Sequence, residues 1–274
     1  MKQTQHGTII LLNGVSSSGK SAIIHALHAS HKNIKILKVD DWFPDILKNV
    51  AQEHGWQENS NICPWLYLHT ATTEQTGKYY FDVELREKLF NNSHKLYEQA
   101  KNFASEGQNV IMDTVLEYEK EYTRFDNFFR NEKVIKILVY CPLDILLQRV
   151  EQRNACGIVS EQRTAFQSFE QFPALFKLQE HAHEPVLDIV KSTVIKQALE
   201  KAIQDLIKNT IAAPYLPKLD EFRKKFSQQF KLDEQETITL VPRHAYNLIL
   251  NSYHNSPQQS AQKILEIVDL KNNF

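Results

Sequence analysis

The sequence predicts an α/β fold: a doubly wound parallel sheet with helices on both faces, followed by a C-terminal helical extension. Two observations predict it. Short, continuous apolar runs recur along the chain, as in strands that are buried on both faces. Stretches with helical spacing separate these runs, and strands that alternate with helices form mainly parallel sheets. In such sheets ligands bind beyond the carboxyl ends of the strands.

The first elements surround a glycine-containing turn. Residues 8–13 form an apolar run that leads into the turn, and residues 20–30 repeat apolar side chains on one side of a helix. A second strand is predicted over 33–39, and it runs directly into the acidic pair Asp40 and Asp41. The glycine turn and the acidic pair are therefore expected at one edge of the sheet.

The later elements continue the alternation. An amphipathic helix is predicted to end at Gly107, which can adopt the left-handed conformation common after helices. Pro142 opens another helix at a position where its missing N–H costs little. The remaining predicted elements are a helix over 84–106, strands over 109–113, 134–140 and 186–190, and a helix over 194–209.

Two regions fall outside this alternation. Residues 42–83 contain all three tryptophans without a clear period, and we expect them to form a substrate-side insertion. After Thr210 a proline-containing segment is expected to link to a helical tail. The predicted domains are a nucleotide-binding domain over 1–209, with a lid over 149–165, and a helical extension over 210–274, with helices near 218–230, 243–253 and 257–269.

The composition of the chain indicates which binding partners and which cellular location to expect. The chain has 274 residues, and its 32 basic and 33 acidic side chains leave a net charge of −1. We therefore expect neither nucleic acid nor a membrane as a partner. Three scattered cysteines indicate a reduced interior, and the apolar run 9–12 is too short for a signal peptide. A cytoplasmic location is expected, with export by a specialised secretion system left open.

One motif points to chemistry. It matches GxxxxGK[ST], the Walker A or P-loop pattern, and lies between the first predicted strand and the first predicted helix, as this motif requires. Its backbone N–H groups turn toward phosphate oxygens, its lysine reaches the β- and γ-phosphates, and its last hydroxyl ligates Mg²⁺. The sequence therefore predicts binding of ATP and Mg²⁺ by Gly14, Val15, Ser16, Ser17, Ser18, Gly19, Lys20 and Ser21.

Other motifs narrow the class of P-loop protein. The chain has no NKxD sequence for reading guanine, and the third strand ends in Met112-Asp113-Thr114 rather than in the Asp-Glu of motor-type ATPases. A kinase needs a carboxylate near the γ-phosphate to deprotonate the acceptor hydroxyl. Asp40 follows the second strand, where that base belongs, and Asp41 is the alternative.

These blocks resemble a known family. The run ILLNGVSSSGKSAI, the pair Val39-Asp40 and the stretch from Glu106 to Asp113 are similar to chloramphenicol phosphotransferase-like kinases over about residues 8–205. The resemblance implies that Asp40 is the catalytic base and that Asp113 lies beside the nucleotide phosphates and Mg²⁺. Residues 42–83 are longer and more aromatic than the usual family segment, so chloramphenicol itself is not implied.

A second group of cations follows the fourth strand. Arg149 and Arg153 are one helical turn apart and therefore share a face. We expect them, with Arg163 as a weaker candidate, to close a lid over the nucleotide and to stabilise charge on the transferred phosphoryl group. The alternative is a solvated helix face paired with Glu151 or Glu161.

Together these patterns predict a small-molecule kinase that transfers the γ-phosphate of ATP to a hydroxyl. A kinase of nucleotide sugars that resembles the zeta-toxin group is an alternative, because that group shares the loop and the base after the second strand. A nucleotide-binding interaction module without transfer is another alternative. In that case the extension 210–274 would engage a protein partner, and it could equally cap the core or form a homodimer.

Overall fold

A computed structural model describes residues 6–39, 41, 83–116, 119–155, 165–209 and 216–272. In chain order the described elements are β1 (Ile9–Asn13), α1 (Lys20–Ser30), β2 (Lys35–Lys38), α2 (Val83–Ser105), β3 (Val110–Thr114), α3 (Glu119–Phe128), β4 (Val134–Tyr140), α4 (Leu143–Ala155), α5 (Ala165–Leu175), β5 (Phe176–Leu178), β6 (Asp188–Lys191), α6 (Ser192–Asn209), α7 (Leu216–Gln229), β7 (Thr237–Pro242), β8 (Leu248–Asn251) and α8 (Pro257–Asn272).

The chain divides into two compact units, and each combines segments that are distant in sequence. The first unit consists of Met1–Asp41, Asn91–Pro142 and His244–Phe274. The second unit consists of Trp42–Phe90 and Leu143–Arg243. The final segment of the chain therefore belongs to the same unit as the glycine-containing turn.

The first unit contains a five-stranded sheet in the order β2-β3-β1-β4-β8, and all four strand pairs are parallel. In the register, Leu12 and Lys38 both pair with Asp113, and Asn13 pairs with Leu138. The carboxyl ends of β1, β2 and β3 therefore meet at one edge of the sheet. This parallel α/β architecture confirms the predicted fold class.

Helices cover both faces of the sheet. On one face α1 and α8 pack against each other over a core that includes Ile10 and Leu12 of β1. Successive side chains of a strand point to opposite faces, so Asn13 lies on the other face from Leu12. There the Asn13 amide contacts Tyr122 of α3, which places α3 on that second face. The doubly wound arrangement follows from these two contacts.

The second unit contains a separate, three-stranded antiparallel sheet in the order β5-β7-β6. Helices α5 and α6 pack together beside it. Arg223 of α7 donates to both carboxylate oxygens of Glu200 on α6. The aromatic core of this unit consists of buried rings from α5, β5, α7 and the turn that follows α7, namely Phe169, Phe172, Phe176, Phe226 and Phe230.

Three sequence predictions differ from the structure. The strand predicted over 186–190 exists as β6, but it lies in the antiparallel sheet of the second unit. The helix predicted over 243–253 is wrong, because residues 248–251 form β8. A short apolar run does not distinguish strand from helix by period alone. The tail 210–274 thus differs from the expected helical extension, since it contributes two strands and its last segment completes the parallel sheet.

Within the described part of the chain, no helix combines the length and the apolar character needed to cross a bilayer.

The packing of α8 on α1 leads to a prediction about stability. Ile264 of α8 is fully buried in the core that α1 shares. We expect Ile264→Ala to lower the free energy of unfolding by about 2–5 kcal/mol, because truncation removes buried apolar contacts and leaves a cavity. Urea denaturation measures this loss. Gln262→Ala, at an exposed position of the same helix, is the control and should change stability by less than about 0.5 kcal/mol. Equal effects of the two substitutions would contradict the packing.

Candidate active site

The P-loop motif lies between β1 and α1, as its pattern predicts. Two loop residues adopt left-handed backbone conformations, Ser17 with φ 64° and Gly19 with φ 106°. Gly19 tolerates this conformation, whereas a serine in it costs on the order of 1 kcal/mol. Left-handed residues within a turn direct successive N–H groups into a concave anion site. The loop therefore contains left-handed residues of the kind that such anion sites use.

Gly14 is the first residue of the loop, and the space around it is too small for a side chain. A Cβ atom built there would lie 2.6 Å from the Val139 carbonyl oxygen and 2.7 Å from the Ser18 hydroxyl oxygen. Both distances are shorter than real Cβ contacts, and the Val139 carbonyl belongs to the backbone of β4. Glycine at position 14 therefore lets the loop pass close to the end of β4.

Lys20 opens α1 and is almost completely buried. Its ammonium group donates to the carbonyl oxygens of Gly14 at 2.6 Å and Val15 at 3.3 Å. These contacts hold the charge against the loop itself. The Ser17 hydroxyl oxygen is buried and has no hydrogen-bond partner among the described residues. A phosphate oxygen at the loop could accept a hydrogen bond from this hydroxyl.

The predicted metal side consists of oxygen donors on two neighbouring elements. Ser21 is exposed in the first turn of α1. Asp113 is partly buried near the end of β3, which pairs with β1. Within the described residues, no group of three or more His, Cys, Asp or Glu side chains could hold a metal. Mg²⁺ in phosphoryl-transfer sites binds to one or two protein oxygens plus substrate phosphates, so the donors Ser21 and Asp113 fit this ion.

The predicted base comes after β2. This strand ends at Lys38, which pairs with Asp113, so the chain leaves β2 at the edge of the sheet that carries the P-loop. Asp40 lies outside the described residues, and its role stays a prediction. Asp41 is described and its side chain is exposed.

The predicted lid lies in the second unit. Arg149 and Arg153 both belong to α4, as the helical spacing predicts, and Arg149 is partly buried. The side chain of Arg153 and the residue Arg163 lie outside the described part of the chain. The insertion 42–83 also lies outside it, apart from Val83 at the start of α2. The lid function stays a prediction.

A hydrogen-bond cluster beside the loop was not predicted from the sequence. The Asn13 amide nitrogen donates to the hydroxyl oxygens of Tyr122, at 2.5 Å, and Tyr246, at 3.1 Å. The two tyrosine hydroxyls are 2.6 Å apart, and the Tyr122 ring stacks on His244. Asn13 is 109 residues from Tyr122 and 233 from Tyr246, so only its place at the end of an apolar strand marked it in the sequence.

The tyrosines of this cluster hold their protons tightly. Burial raises the pKa of Tyr246 to about 12, against an ordinary value of 10.0. Burial, together with the neighbouring Tyr246, raises the pKa of Tyr122 far above its usual range. Because a charged phenolate loses hydration when it is buried, both hydroxyls remain neutral hydrogen-bonding groups at physiological pH.

The parallel sheet and the loop between β1 and α1 define an α/β protein of the P-loop class. A family model described as chloramphenicol phosphotransferase-like protein matches residues 7–172, and the chain belongs to this family. The match confirms the resemblance seen in the sequence. It includes the P-loop, β3 and β4, and it ends before β8. Family and P-loop together support a nucleotide-dependent kinase.

Several solved structures are distantly similar. An APS kinase from Mycobacterium tuberculosis, in complex with AMPPNP and APS, has 12% identity over 96% of this chain and 98% of that one, with a TM-score of 0.45. A shikimate kinase from Bacteroides thetaiotaomicron has 15% identity over 96% and 98% of the two chains, with a TM-score of 0.43. No curated protein gives a significant match. The strand order of this chain defines its fold class.

The raised pKa of Tyr246 predicts a pH dependence of stability. The folded protein binds the proton of the Tyr246 hydroxyl more tightly than the unfolded chain does. The stability that this difference contributes is complete below about pH 10 and is lost as the pH rises toward 12. Between pH 8 and pH 11 we expect the free energy of unfolding of the wild type to fall by on the order of 1 kcal/mol more than that of Tyr246→Phe. Urea unfolding at pH 8 to 11 measures this difference.

A matched substitution controls for general alkaline effects. Tyr253 is 56% exposed, and Tyr253→Phe should retain the pH dependence of the wild type. Parallel stability curves for wild type and Tyr246→Phe would contradict the tight protonation of Tyr246.

Proposed function

We propose that this protein is an ATP-dependent phosphotransferase that transfers the γ-phosphate of ATP to a hydroxyl of a small molecule. The single observation that carries the proposal is the P-loop itself, which combines two left-handed residues with a buried lysine at its carbonyls. Membership of a family described as chloramphenicol phosphotransferase-like supports the same reaction type.

The loop residues would bind the triphosphate. Backbone N–H groups of residues 14–19 and the positive end of α1 favour phosphate oxygens. Lys20 lies against the loop carbonyls and would donate to the β- and γ-phosphates when the triphosphate binds. The buried Ser17 hydroxyl offers a further donor.

Ser21 and Asp113 would hold Mg²⁺ through a hydroxyl and a carboxylate oxygen. When bound, Mg²⁺ neutralises charge that develops on the transferred phosphoryl group. Asp113 lies on β3 in register with Leu12, one residue before β1 ends, which puts the carboxylate on the strand beside the loop.

Asp40 would act as the base. Its carboxylate takes the proton of the acceptor hydroxyl while the acceptor oxygen forms a bond to the γ-phosphorus. The bond from that phosphorus to the β–γ bridging oxygen breaks, and ADP leaves with the bridging oxygen. Arg149 and Arg153 would stabilise the charge on the phosphoryl group during this transfer.

The acceptor is an alcohol of unknown structure, and a screen can identify it. The protein is incubated with γ-labelled ATP, Mg²⁺ and a metabolite library that includes sugars, nucleosides and nucleotide sugars. Labelled product supports the proposal, and labelling confined to nucleotide sugars would favour the toxin-like alternative. ATP binding without product from the library or from cell extract would contradict transfer and favour an interaction module.

Removal of the loop lysine tests the nucleotide site. We expect Lys20→Ala to weaken binding of ATP with Mg²⁺ about tenfold or more, because a charge-assisted hydrogen bond to phosphate contributes about 1.5–3 kcal/mol. Isothermal titration calorimetry measures the affinity. Lys32→Ala removes an exposed lysine just beyond α1 and should leave the affinity unchanged. Wild-type affinity in Lys20→Ala would rule out the loop as the phosphate site.

The neighbouring aspartates allow a matched test of the base. We expect Asp40→Asn to lower phosphoryl transfer at least about 100-fold while ATP affinity stays near the wild-type value, because an amide cannot take the proton. Transfer to the acceptor identified by the screen is the measurement. Asp41→Asn is the control. If Asp41→Asn instead loses transfer and Asp40→Asn retains it, the base is Asp41.

A further inference from the structure

The Asn13 side chain uses its whole hydrogen-bonding capacity beside the P-loop. Its amide oxygen accepts the N–H groups of Gly14, at 3.0 Å, and Leu116, at 3.2 Å. Its amide nitrogen donates both hydrogens to the Tyr122 and Tyr246 hydroxyls. An asparagine amide offers two donors and two acceptor lone pairs, so the group is saturated and fully buried.

Gly14 connects this cluster to the phosphate-binding lysine. Its N–H is held by the Asn13 amide oxygen, and its carbonyl oxygen accepts from the Lys20 ammonium at 2.6 Å. A change in the position of the Asn13 amide therefore affects Lys20 through Gly14. Gly14 is also confined between Val139 and Ser18, so it has little space in which to absorb such a change.

The cluster also reaches the metal side of the site. Leu116 follows Asp113 by three residues, and its N–H shares the Asn13 amide oxygen with Gly14. One side-chain oxygen thus joins the start of the P-loop to the chain that leaves β3. The two tyrosines hold this amide from α3 and from the segment before β8.

We propose that Asn13, Tyr122 and Tyr246 are positioning residues that hold the P-loop in its phosphate-binding conformation. The inference rests on the proposed function, because it assumes that the loop binds a triphosphate. It extends that function to Tyr246, which lies beyond the residues that the family model matches. Loss of either hydroxyl removes an acceptor from the Asn13 amide nitrogen. The amide then reorients, and Gly14 and Lys20 shift with it.

Removal of single hydroxyls tests the proposal in the full chain. The variants are Tyr246→Phe and Tyr122→Phe, and the probes are ATP with Mg²⁺ and inorganic triphosphate, which lacks a base and a sugar. We expect each variant to bind both probes about three- to tenfold more weakly by calorimetry, at a temperature where every variant is folded. Hydrogen exchange of the Gly14 amide should also become faster.

The control is Tyr97→Phe. Tyr97 is 5% exposed on α2, and its ring packs among Phe125, Phe128 and Phe129 rather than in the cluster. We expect Tyr97→Phe to lose stability as the cluster variants do. Its affinity for both probes should equal that of the wild type. Weaker binding in the cluster variants alone is a positioning effect that a purely structural role would not produce.

Two results overturn the inference separately from the proposed function. If the wild type binds both probes and the cluster variants bind them equally well, the positioning role is wrong and the phosphate site stands. The same conclusion follows if Tyr97→Phe weakens binding as much as the cluster variants do. If the wild type binds neither probe, the proposed function fails and the inference fails with it.

Discussion

The central place of β1 in the parallel sheet is the constraint on which the rest of the site depends. Its two neighbours, β3 and β4, pair with it in parallel register, so all three strands end at the same edge. Asp113 and the P-loop are close for this reason alone, although they are about a hundred residues apart in sequence. Gly14 is required for the same reason, because the loop turns past the backbone of Val139 on β4.

The C-terminal segment belongs to this arrangement. Strand β8 extends the sheet beyond β4, and α8 packs against the helix that begins at Lys20. The P-loop helix is therefore supported by residues that come more than 200 positions later. Tyr246, just before β8, adds a hydrogen bond to Asn13. The proposed nucleotide site is thus supported by both the N-terminal and the C-terminal segments of this unit.

The sequence correctly predicted those helices and strands that a local residue pattern defines. The bounds of α1 and β4 agree with the sequence prediction to the residue, because a helical repeat or a long apolar run defines each of them. The sheet partner of β8 was not predictable, since its three apolar residues are too few to show a period and its pairing with β4 is a long-range contact. The contacts of Asn13 were missed for a related reason: its partners Leu116, Tyr122 and Tyr246 are 103, 109 and 233 positions away in the sequence.

The energetics of burial bear on why β1 has a polar residue, Asn13, at its end. The four preceding residues of the strand are apolar and fully buried, and an apolar side chain at position 13 would complete that pattern. A buried amide is tolerated only when its groups are bonded, and replacing such a cluster by apolar groups of similar shape is often nearly neutral for stability. Stability alone therefore does not explain the presence of Asn13. Its four hydrogen bonds instead fix the direction of one N–H group, that of Gly14, at the point where the strand becomes the phosphate-binding loop.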